Sequence, residues 1–374
     1  MQIPFVNLRR QYEPILADLQ NGLVNLIASN RAVGGAEVSS FESRFAKSLG
    51  VKYTVSCANG TDALEIVLRA WGIGVGDEVI VPANGWVSVA ETVVLLGATP
   101  IFVDNHAETY NLDLDLLEEK ITPSTKVIIP IHLYGNPVDM KRLMRIAASY
   151  REIRVLEDCA QAHGASVGGI KVGSYGQAAI FSFYPTKNLG ALGDAGAIVT
   201  NDHSLVEHCR AIANYGQFKK YVYPILGRNS RMDTWQAKVL SLKLPYLDAG
   251  NLRRKQIANY YNNAWKNLPI QLPKADKNAV WHLFVIQVDN RDQIKEELIK
   301  KGIQAEIHYP IPVCRQPLFQ KFRHPVGYPN AEQQASRVLS IPIYPELTDD
   351  EIEYIVDTVK TVIEGVAITN QPGR

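Results

Sequence analysis

Residues 182–196 read SFYPTKNLGALGDAG and place one lysine, Lys187, among apolar residues and glycines. Burying an ammonium group is costly, so a lysine in such surroundings needs an explanation. A partly desolvated amine loses its proton more readily and can then attack a carbonyl carbon, which is the chemistry of a Schiff-base lysine. Most lysines are solvated surface residues, and from this stretch alone that alternative remains open.

Asp158 is a second candidate, because it ends the predicted strand IRVLED. The carboxyl ends of parallel strands are where α/β proteins bind ligands. A carboxylate there could pair with a pyridinium nitrogen and so keep pyridoxal phosphate (PLP) an electron sink. Gln161, three residues later, could hydrogen-bond the ring oxygen of that cofactor. The alternative role of Asp158 is to cap the following helix.

Three further positions suit the phosphate and the ring of such a cofactor. Gly60 and Thr61, in CANGTDAL, follow a predicted strand and open a helix, whose free N–H groups favour a phosphate. A plain threonine cap of that helix is the alternative. The Ser182 hydroxyl could reach the same phosphate. Trp86, in PANGWVS, follows the strand EVIVP and could stack on the ring, although such aromatic residues are more often part of a core.

The order of elements predicts how these residues are positioned. Short apolar runs alternate with amphipathic helical segments from about residue 51 to residue 202; the predicted strands are KYTVSC, EVIVP, PIFVD, KVIIPI, IRVLED, AAIFSF and GAIVT. This order predicts an α/β fold with a mostly parallel sheet covered by helices. After about residue 244 the pattern changes to a long polar helix and a second α/β segment. We therefore expect a large domain of residues 1–245 and a smaller C-terminal domain of residues 246–374.

Composition argues against a nucleic-acid-binding, membrane-spanning or disulfide-rich protein. The 374 residues carry a formal net charge of +1 without a long run of one sign, so nothing indicates binding to nucleic acid or to an anionic membrane surface. The N-terminus lacks the pattern of a signal peptide, and no apolar run is long enough to span a bilayer. The four cysteines are too widely spaced for a disulfide framework or a zinc site, and we expect a cytoplasmic protein without a metal.

The ordered blocks of this sequence resemble the DegT/DnrJ/EryC1/StrS family of PLP-dependent sugar aminotransferases. The similarity covers nearly the whole chain and is carried by GTDAL, GDEVIVPAN, GATPIFVD, ITPSTKVIIPIHLYG, EDCAQAHGA, FSFYPTKNLGALGDAGAIVT, NYGQ, GRNSRMDTWQA, WHLFVI, IHYPIP and LSIPIYP. The resemblance implies the type I PLP-dependent aminotransferase fold. It also implies a homodimer with active sites at the subunit interface.

The resemblance implies a role for each residue around the cofactor ring. Lys187 would hold the cofactor covalently and then act as the catalytic acid and base. Asp158 would pair with the ring nitrogen, Gln161 would contact the ring oxygen, and Trp86 would stack on the ring.

The resemblance assigns the cofactor phosphate to residues of both subunits. Gly60, Thr61 and Ser182 would hold it from one chain, and Asn229, in GRNSR, would reach it from the partner chain. Gly85 is a departure, because many relatives have a hydroxyl residue there, close to the ring.

The expected reaction takes the amino group of L-glutamate and gives it to a nucleotide-linked keto sugar. The block PTKNLGALGDAGA resembles enzymes that aminate carbon 3 of 3-keto-6-deoxy sugars, which favours a dTDP-3-keto-6-deoxyhexose and a place in deoxyaminosugar biosynthesis. The alternatives are a UDP-3-keto uronic acid, a 4-keto sugar, or a dehydratase using pyridoxamine phosphate, in which histidine replaces the lysine. A non-catalytic, PLP-binding regulatory dimer is the alternative from a different class.

Four residues are candidates for holding the sugar nucleotide: Tyr184, Tyr221, His308 and Tyr309. Phenols and cations suit a sugar diphosphate, which presents many hydrogen-bond acceptors. For each tyrosine, packing at the dimer interface is an equally good alternative.

Overall fold

The computed structural model describes residues 1–369, and a seven-stranded sheet forms its centre. The strands of the chain are β1 (Tyr53–Cys57), β2 (Glu78–Pro82), β3 (Thr99–Val103), β4 (Thr125–Ile128), β5 (Arg154–Asp158), β6 (Ser166–Val167), β7 (Ile170–Lys171), β8 (Ala178–Ser182), β9 (Gly196–Thr200), β10 (Phe284–Gln287) and β11 (Val338–Ile341). In the central sheet their order is β1-β9-β8-β5-β4-β2-β3. The predicted α/β fold is confirmed.

All pairings in this sheet are parallel except those of β9, which runs antiparallel to β1 and β8. Strands such as EVIVP and GAIVT are nearly continuous apolar runs because helices cover both faces of the sheet. The carboxyl ends of β5 and β8 therefore lie side by side, with Asp158 opposite Ile180 in the register. This arrangement brings Asp158 and the loop after β8 to the same edge.

Twelve helices are described: α1 (Leu8–Tyr12), α2 (Leu16–Ser29), α3 (Ala36–Leu49), α4 (Gly60–Ala70), α5 (Ser88–Leu95), α6 (Met140–Ala148), α7 (His203–Ala213), α8 (Thr234–Lys243), α9 (Leu247–Trp265), α10 (Arg291–Lys300), α11 (Pro329–Arg337) and α12 (Asp349–Thr369). On one face of the sheet, α4 packs against α5 and α7. On the other face, α3 and α8 enclose a core that includes Phe41, Phe45 and Phe183.

The C-terminal elements have a core of their own. The antiparallel pair β10–β11 packs with α9, α10 and α12 around Tyr261, Trp265 and Phe284. The division at residue 245 stays a prediction. The first residues of the chain contact these C-terminal elements, because Ile3 pairs with Ile303.

No described helix combines the length and the apolar composition that crossing a membrane requires.

Candidate active site

The loop after β8 brings the Lys187 amine to the sheet edge through a tight turn. The Lys187 N–H donates to the Tyr184 carbonyl at 2.8 Å. A Cβ atom at position 190 would lie 2.3 Å from the Pro185 carbonyl oxygen, so the turn requires Gly190. The glycines around Lys187 thus serve the path of the loop as well as access to the amine.

Lys187 and Asp158 form the electrostatic centre of the site. Burial lowers the pKa of Lys187 to about 8, and the charge of Asp158 opposes this shift. Burial raises the pKa of Asp158, which is opposed by a hydrogen bond from the Ala160 N–H at 2.9 Å and by the charge of Lys187. The pair therefore combines an amine that gives up its proton near neutral pH with a buried carboxylate.

A second buried lysine, Lys243 at the end of α8, also has a pKa lowered to about 8 by burial. Its ammonium donates to the Gly190 carbonyl at 2.5 Å and to Gln11 Oε1 at 2.8 Å, and it lies 4.7 Å from the centre of the Tyr12 ring. In contrast, the Lys187 amine has no hydrogen bond or ion pair within residues 1–369. Of these two buried lysines, Lys187 is therefore the one whose amine is available for reaction.

A buried group of His132, Glu157 and Cys159 lies at the end of β5, next to Asp158. These residues have metal-ligand atoms within 4.8 Å of one another. However, both oxygens of Glu157 accept backbone N–H groups of residues 173–176 at 2.8 Å, and His132 Nδ1 accepts from the Val138 N–H at 3.0 Å. The atoms are thus used within the chain, and the group supports the end of β5.

Gln161 joins the cofactor side and the substrate side of the predicted site. Its Oε1 accepts from the Tyr134 N–H at 2.6 Å, and its Nε2 donates to the Tyr309 hydroxyl at 3.2 Å. Burial raises the pKa of Tyr309, which is therefore a neutral phenol. The structure thus brings two of the predicted residues, Gln161 and Tyr309, into direct contact.

Trp86 lies beside Tyr309, with the ring centres 5.8 Å apart and the planes tilted by 50°. The indole is 53% exposed, so one side of it remains accessible. The neighbouring departure from the family pattern has a steric reason. A Cβ atom at Gly85 would lie 2.6 Å from Cδ1 of Ile131, so Ile131 fills the space of a side chain there.

The N-terminus of α4 packs directly against the end of β8. A Cβ atom at Gly60 would lie 2.8 Å from the Cβ of Ser182, so glycine is needed for this approach. Asn59 caps the helix by accepting from the Asp62 N–H at 2.8 Å. The predicted capping role therefore belongs to Asn59, and the first residue of the helix, Gly60, lies beside Ser182.

His308 is close to the same centre. Its Nδ1 lies 2.8 Å from the Ser340 hydroxyl, and its carbonyl accepts a hydrogen bond from Tyr134. Burial lowers the pKa of His308 to about 4, and the charge of Lys187 acts in the same direction. His308 is thus a neutral imidazole near Lys187, and not the cation expected for holding a diphosphate.

Tyr184, Tyr221 and Asn229 are exposed, and the described contacts do not join the side chains of Tyr221 and Asn229 to the group around Lys187. Tyr221 is 75% exposed, and its contacts are local, to Lys220 and Gln217. The roles of these residues stay predictions.

Tyr134 and Arg228 are functional candidates that the sequence reasoning did not assign. Tyr134 links Gln161 to His308. It lies in the segment that follows β4, the strand beside β5, which is a signal that could have identified it. Arg228 forms ion pairs with Asp62, at 2.8 Å, and Glu65. It thereby fastens the segment that carries Asn229 to α4, and its local sequence gave no sign of this contact.

The chain is similar to several known proteins. Two similar sequences are dTDP-3-amino-3,6-dideoxy-alpha-D-galactopyranose transaminase of Aneurinibacillus thermoaerophilus and UDP-N-acetyl-3-dehydro-alpha-D-glucosamine 3-aminotransferase of Acidithiobacillus ferrooxidans. The first is 46% identical over 96% of this chain and 98% of its own length. The second is 41% identical over 97% of this chain and 98% of its own length.

A similar solved structure is that of S. venezuelae DesV in complex with a ketimine intermediate. It has a TM-score of 0.94 and 40% identity, and the match covers 97% of this chain and 99% of that chain. The family model for DegT/DnrJ/EryC1/StrS aminotransferases matches residues 15–360. The chain therefore belongs to the DegT/DnrJ/EryC1/StrS aminotransferase family.

Proposed function

We propose that this chain is a PLP-dependent aminotransferase that moves the amino group of L-glutamate to carbon 3 of a dTDP-linked 3-keto-6-deoxyhexose. The observation that carries the proposal is the pair of Lys187 and Asp158 at the sheet edge. Lys187 has a pKa of about 8 and an unengaged amine, and Asp158 is a buried carboxylate close enough to interact with its charge. An amine and a carboxylate in this relation suit attack on a carbonyl and the holding of a protonated ring nitrogen.

The residues present fit pyridoxal phosphate. Gly60 keeps side-chain atoms out of the space between the α4 N-terminus and Ser182, where N–H groups and a hydroxyl could hold the phosphate. Asp158 would pair with the ring nitrogen, Gln161 with the ring oxygen, and Trp86 would cover one face of the ring. When bound, the cofactor supplies a conjugated ring that withdraws electrons from the reacting carbon.

Lys187 is the residue that would accept and return the proton during the reaction. Because its pKa is about 8, a substantial fraction of the amine is neutral near pH 7 to 8, and it can accept a proton as readily as the ammonium can return one. Asp158 would hold the protonated ring nitrogen when the cofactor is bound. Tyr309, held by Gln161, and Trp86 border the space where the sugar would approach.

We further propose a homodimer in which Asn229 serves the partner's phosphate site. Residues 215–226, which we call the aromatic segment, expose apolar side chains, including Phe218, Tyr223 and Leu226. On α2, the exposed side chains Leu23, Val24 and Ile27 form a second apolar surface. Contiguous exposed apolar surface is typical of interaction sites, and a two-fold interface would use both surfaces reciprocally.

Mixed dimers test this arrangement. In a mixture of Lys187→Ala and Asn229→Ala chains, one site of each mixed dimer carries both defects and the other carries neither. Activity should therefore return to about a quarter of wild type at equal mixing, since half of the dimers are mixed and each has one intact site. The absence of recovery, despite demonstrated subunit exchange, would contradict the shared site.

The names of similar proteins support the proposed substrate. The Aneurinibacillus thermoaerophilus relative is named for a dTDP-3-amino-3,6-dideoxy sugar. DesV was solved with a ketimine intermediate, and a ketimine joins an amine nitrogen to a ketone carbon, as amination of a keto sugar requires. All four cysteines are free and buried, which supports the proposed cytoplasmic location.

A UDP-linked 3-keto sugar is the second candidate, because the Acidithiobacillus ferrooxidans relative is named for such a substrate at 41% identity. Both candidates are 3-keto sugars, so the relatives differ in the nucleotide and not in the carbon that is aminated. A 4-keto sugar and a non-catalytic regulatory dimer remain as outcomes of the test.

Steady-state kinetics with a panel of sugars tests the proposal. We expect kcat/KM to be highest for a dTDP-3-keto-6-deoxyhexose, with a lower value for the UDP-linked 3-keto sugar and the lowest for the dTDP-4-keto isomer. A preference for the 4-keto isomer would overturn the assignment to carbon 3. Absence of the glutamate half-reaction, in protein that binds PLP, would indicate the regulatory dimer.

The roles of Tyr221 and His308 can be determined by measuring the glutamate half-reaction and the sugar half-reaction separately. If they hold the sugar nucleotide, Tyr221→Phe and His308→Ala should raise KM for the sugar about 3- to 10-fold, as loss of one hydrogen bond does. The glutamate half-reaction should change little, because glutamate has no diphosphate. Tyr223→Phe, on the same exposed segment, is the matched control. A parallel fall of both half-reactions would place the residue with the cofactor or the fold.

A further inference from the structure

Asn188, the residue that follows Lys187, connects the loop after β8 to the C-terminal part of the chain. The Asn188 side chain donates from Nδ2 to the Val280 carbonyl at 2.9 Å and to Asn251 Oδ1 at 2.8 Å. Its Oδ1 lies 3.2 Å from Nδ1 of His282. One side chain thus makes three hydrogen bonds, to α9 and to the segment that leads into β10.

These hydrogen bonds define the tautomer of His282. A backbone carbonyl such as that of Val280 only accepts, so the Asn188 NH2 group must face it, and Oδ1 must face the imidazole. His282 therefore carries its proton on Nδ1 and donates it to Asn188, which leaves Nε2 without a proton. Burial lowers the pKa of His282 well below its ordinary value, and the charge of Lys187 is the next cause. The imidazole is thus neutral and close to Lys187.

Two of the three partners of Asn188, Asn251 and His282, are held in place by further hydrogen bonds. Asn251 donates to the His163 carbonyl at 2.8 Å, and it approaches so closely that a Cβ atom at Gly164 would lie 2.7 Å from its Nδ2. The buried guanidinium of Arg254 donates to the carbonyls of Trp281 and His282. Residues of α9 and residues 280–282, held in place by these bonds, therefore contact the loop that carries Lys187.

We propose that Asn188 and His282 are positioning residues for Lys187, and that their hydrogen bond ties the reacting amine to the C-terminal part of the chain. The proposal rests on the proposed role of Lys187 as the reacting amine. Four titratable groups interact electrostatically with Lys187: Asp158, His163, His282 and His308. When the Asn188–His282 bond is broken, the loop can move and its amine becomes more hydrated.

The test is the pH dependence of Lys187 acetylation in the full-length, cofactor-free protein. A limiting dose of acetic anhydride is applied from about pH 6 to about pH 11, and the peptide containing Lys187 is quantified by mass spectrometry. In wild type the reactivity should rise with a midpoint near pH 8. A midpoint one pH unit higher, toward the ordinary value of 10.5, lowers the neutral fraction at pH 8 from about one half to about one tenth, a roughly 5-fold fall in labelling.

Four variants make the test specific. Asn188→Ala and His282→Phe, which remove the hydrogen bond, should show this fall in labelling. His282→Asn places an amide N–H near the former Nδ1 and should restore labelling to within about 2-fold of wild type. Asn136→Ala is the matched control, because Asn136 accepts from the Asp276 N–H at 2.9 Å and donates to the Lys274 carbonyl, and so also bridges to this part of the chain. It should leave the midpoint unchanged.

The proposal would be overturned by unchanged midpoints in Asn188→Ala and His282→Phe, or by an equal shift in Asn136→Ala. Failure of His282→Asn to restore labelling would equally contradict the role of the hydrogen bond. If Asn188→Ala does not fold, Asn251→Ala removes one of the three bonds of Asn188 and should give a smaller shift in the same direction. Because the labelling uses no substrate, its outcome is separate from the sugar kinetics that test the proposed function.

Discussion

Lys187 and Lys243 are two buried lysines with pKa values of about 8, and their surroundings differ completely. The Lys243 ammonium is engaged by the Gly190 carbonyl, by Gln11 and by the Tyr12 ring. The Lys187 amine has no such partner within residues 1–369, and it lies near a buried carboxylate at the sheet edge. A lowered pKa alone therefore does not identify a reactive lysine, whereas a lowered pKa with an unengaged amine does.

The two lysines also act on the same loop. Lys243 holds the carbonyl of Gly190, three residues beyond Lys187, so it stabilises the turn from which the reactive amine projects. We therefore expect changes at Lys187 to affect chemistry, and changes at Lys243 to affect mainly the stability of the loop.

The largest expected effect is that of removing the Lys187 amine. Lys187→Ala should lower turnover by at least about 10³-fold, because both carbonyl attack and proton transfer depend on this amine. Binding of pyridoxamine phosphate should persist, since the phosphate and ring contacts remain. Lys243→Met is the control, with an expected loss of less than about 10-fold. Comparable losses in both variants would contradict the distinction between the lysines.

A smaller effect is expected from neutralising Asp158. Asp158→Asn should slow the glutamate half-reaction about 10²-fold, as removal of one well-placed electrostatic partner does. Because the charge of Asp158 raises the pKa of Lys187, its removal should move the Lys187 acetylation midpoint below pH 8. The Lys243 midpoint should stay near pH 8, since Asp158 does not contribute to it. A move of the Lys187 midpoint toward higher pH would contradict the interaction of the two groups.

Loss of the Lys243 ammonium should cost stability. Lys243→Met leaves the buried Gly190 carbonyl without this donor, which is expected to lower the free energy of unfolding by about 1 to 3 kcal/mol. Urea denaturation of the cofactor-free protein measures this loss. An unchanged stability together with lost turnover would indicate that Lys243 takes part in the chemistry.

The stability difference between wild type and Lys243→Met should also depend on pH. The folded pKa of Lys243, about 8, lies below its ordinary value of 10.5, so between these values the unfolded chain binds more protons. The advantage of wild type over Lys243→Met should therefore grow as the pH rises from 8 toward 10.5, by up to about 1.4 kcal/mol per pH unit. Urea titrations at several pH values measure it, and an advantage that shrinks over this range would contradict the burial of Lys243.

Local sequence was sufficient to predict the residues at strand ends. Lys187 and Asp158 follow apolar runs whose parallel pairing brings their carboxyl ends together, and glycine-rich surroundings singled out Lys187. Lys243, in LSLKLP, has no comparable local signal, because its partners come from distant parts of the chain. The predicted strand KVIIPI extends beyond β4, which ends at Ile128. Pro130 has no N–H and interrupts the strand, and pairing with β5 resumes as a single bridge between Ile131 and Asp158.

Long-range packing explains the remaining differences. The steric reason for Gly85 is the side chain of Ile131, and the pairing of Ile3 with Ile303 joins the first residues of the chain to the C-terminal elements. Neither contact produces a periodic pattern in the sequence. The same holds for Asn229, whose predicted role depends on a partner subunit.

The most direct test of the central claim is borohydride reduction of the protein with its cofactor bound, followed by protease digestion and peptide mass mapping. We expect a pyridoxyl group on the peptide that contains Lys187, and an unmodified Lys243. Lys243 is the internal control, because burial lowers its pKa to the same value of about 8. A pyridoxyl group on Lys243 or any other lysine, with Lys187 unmodified, would contradict the account.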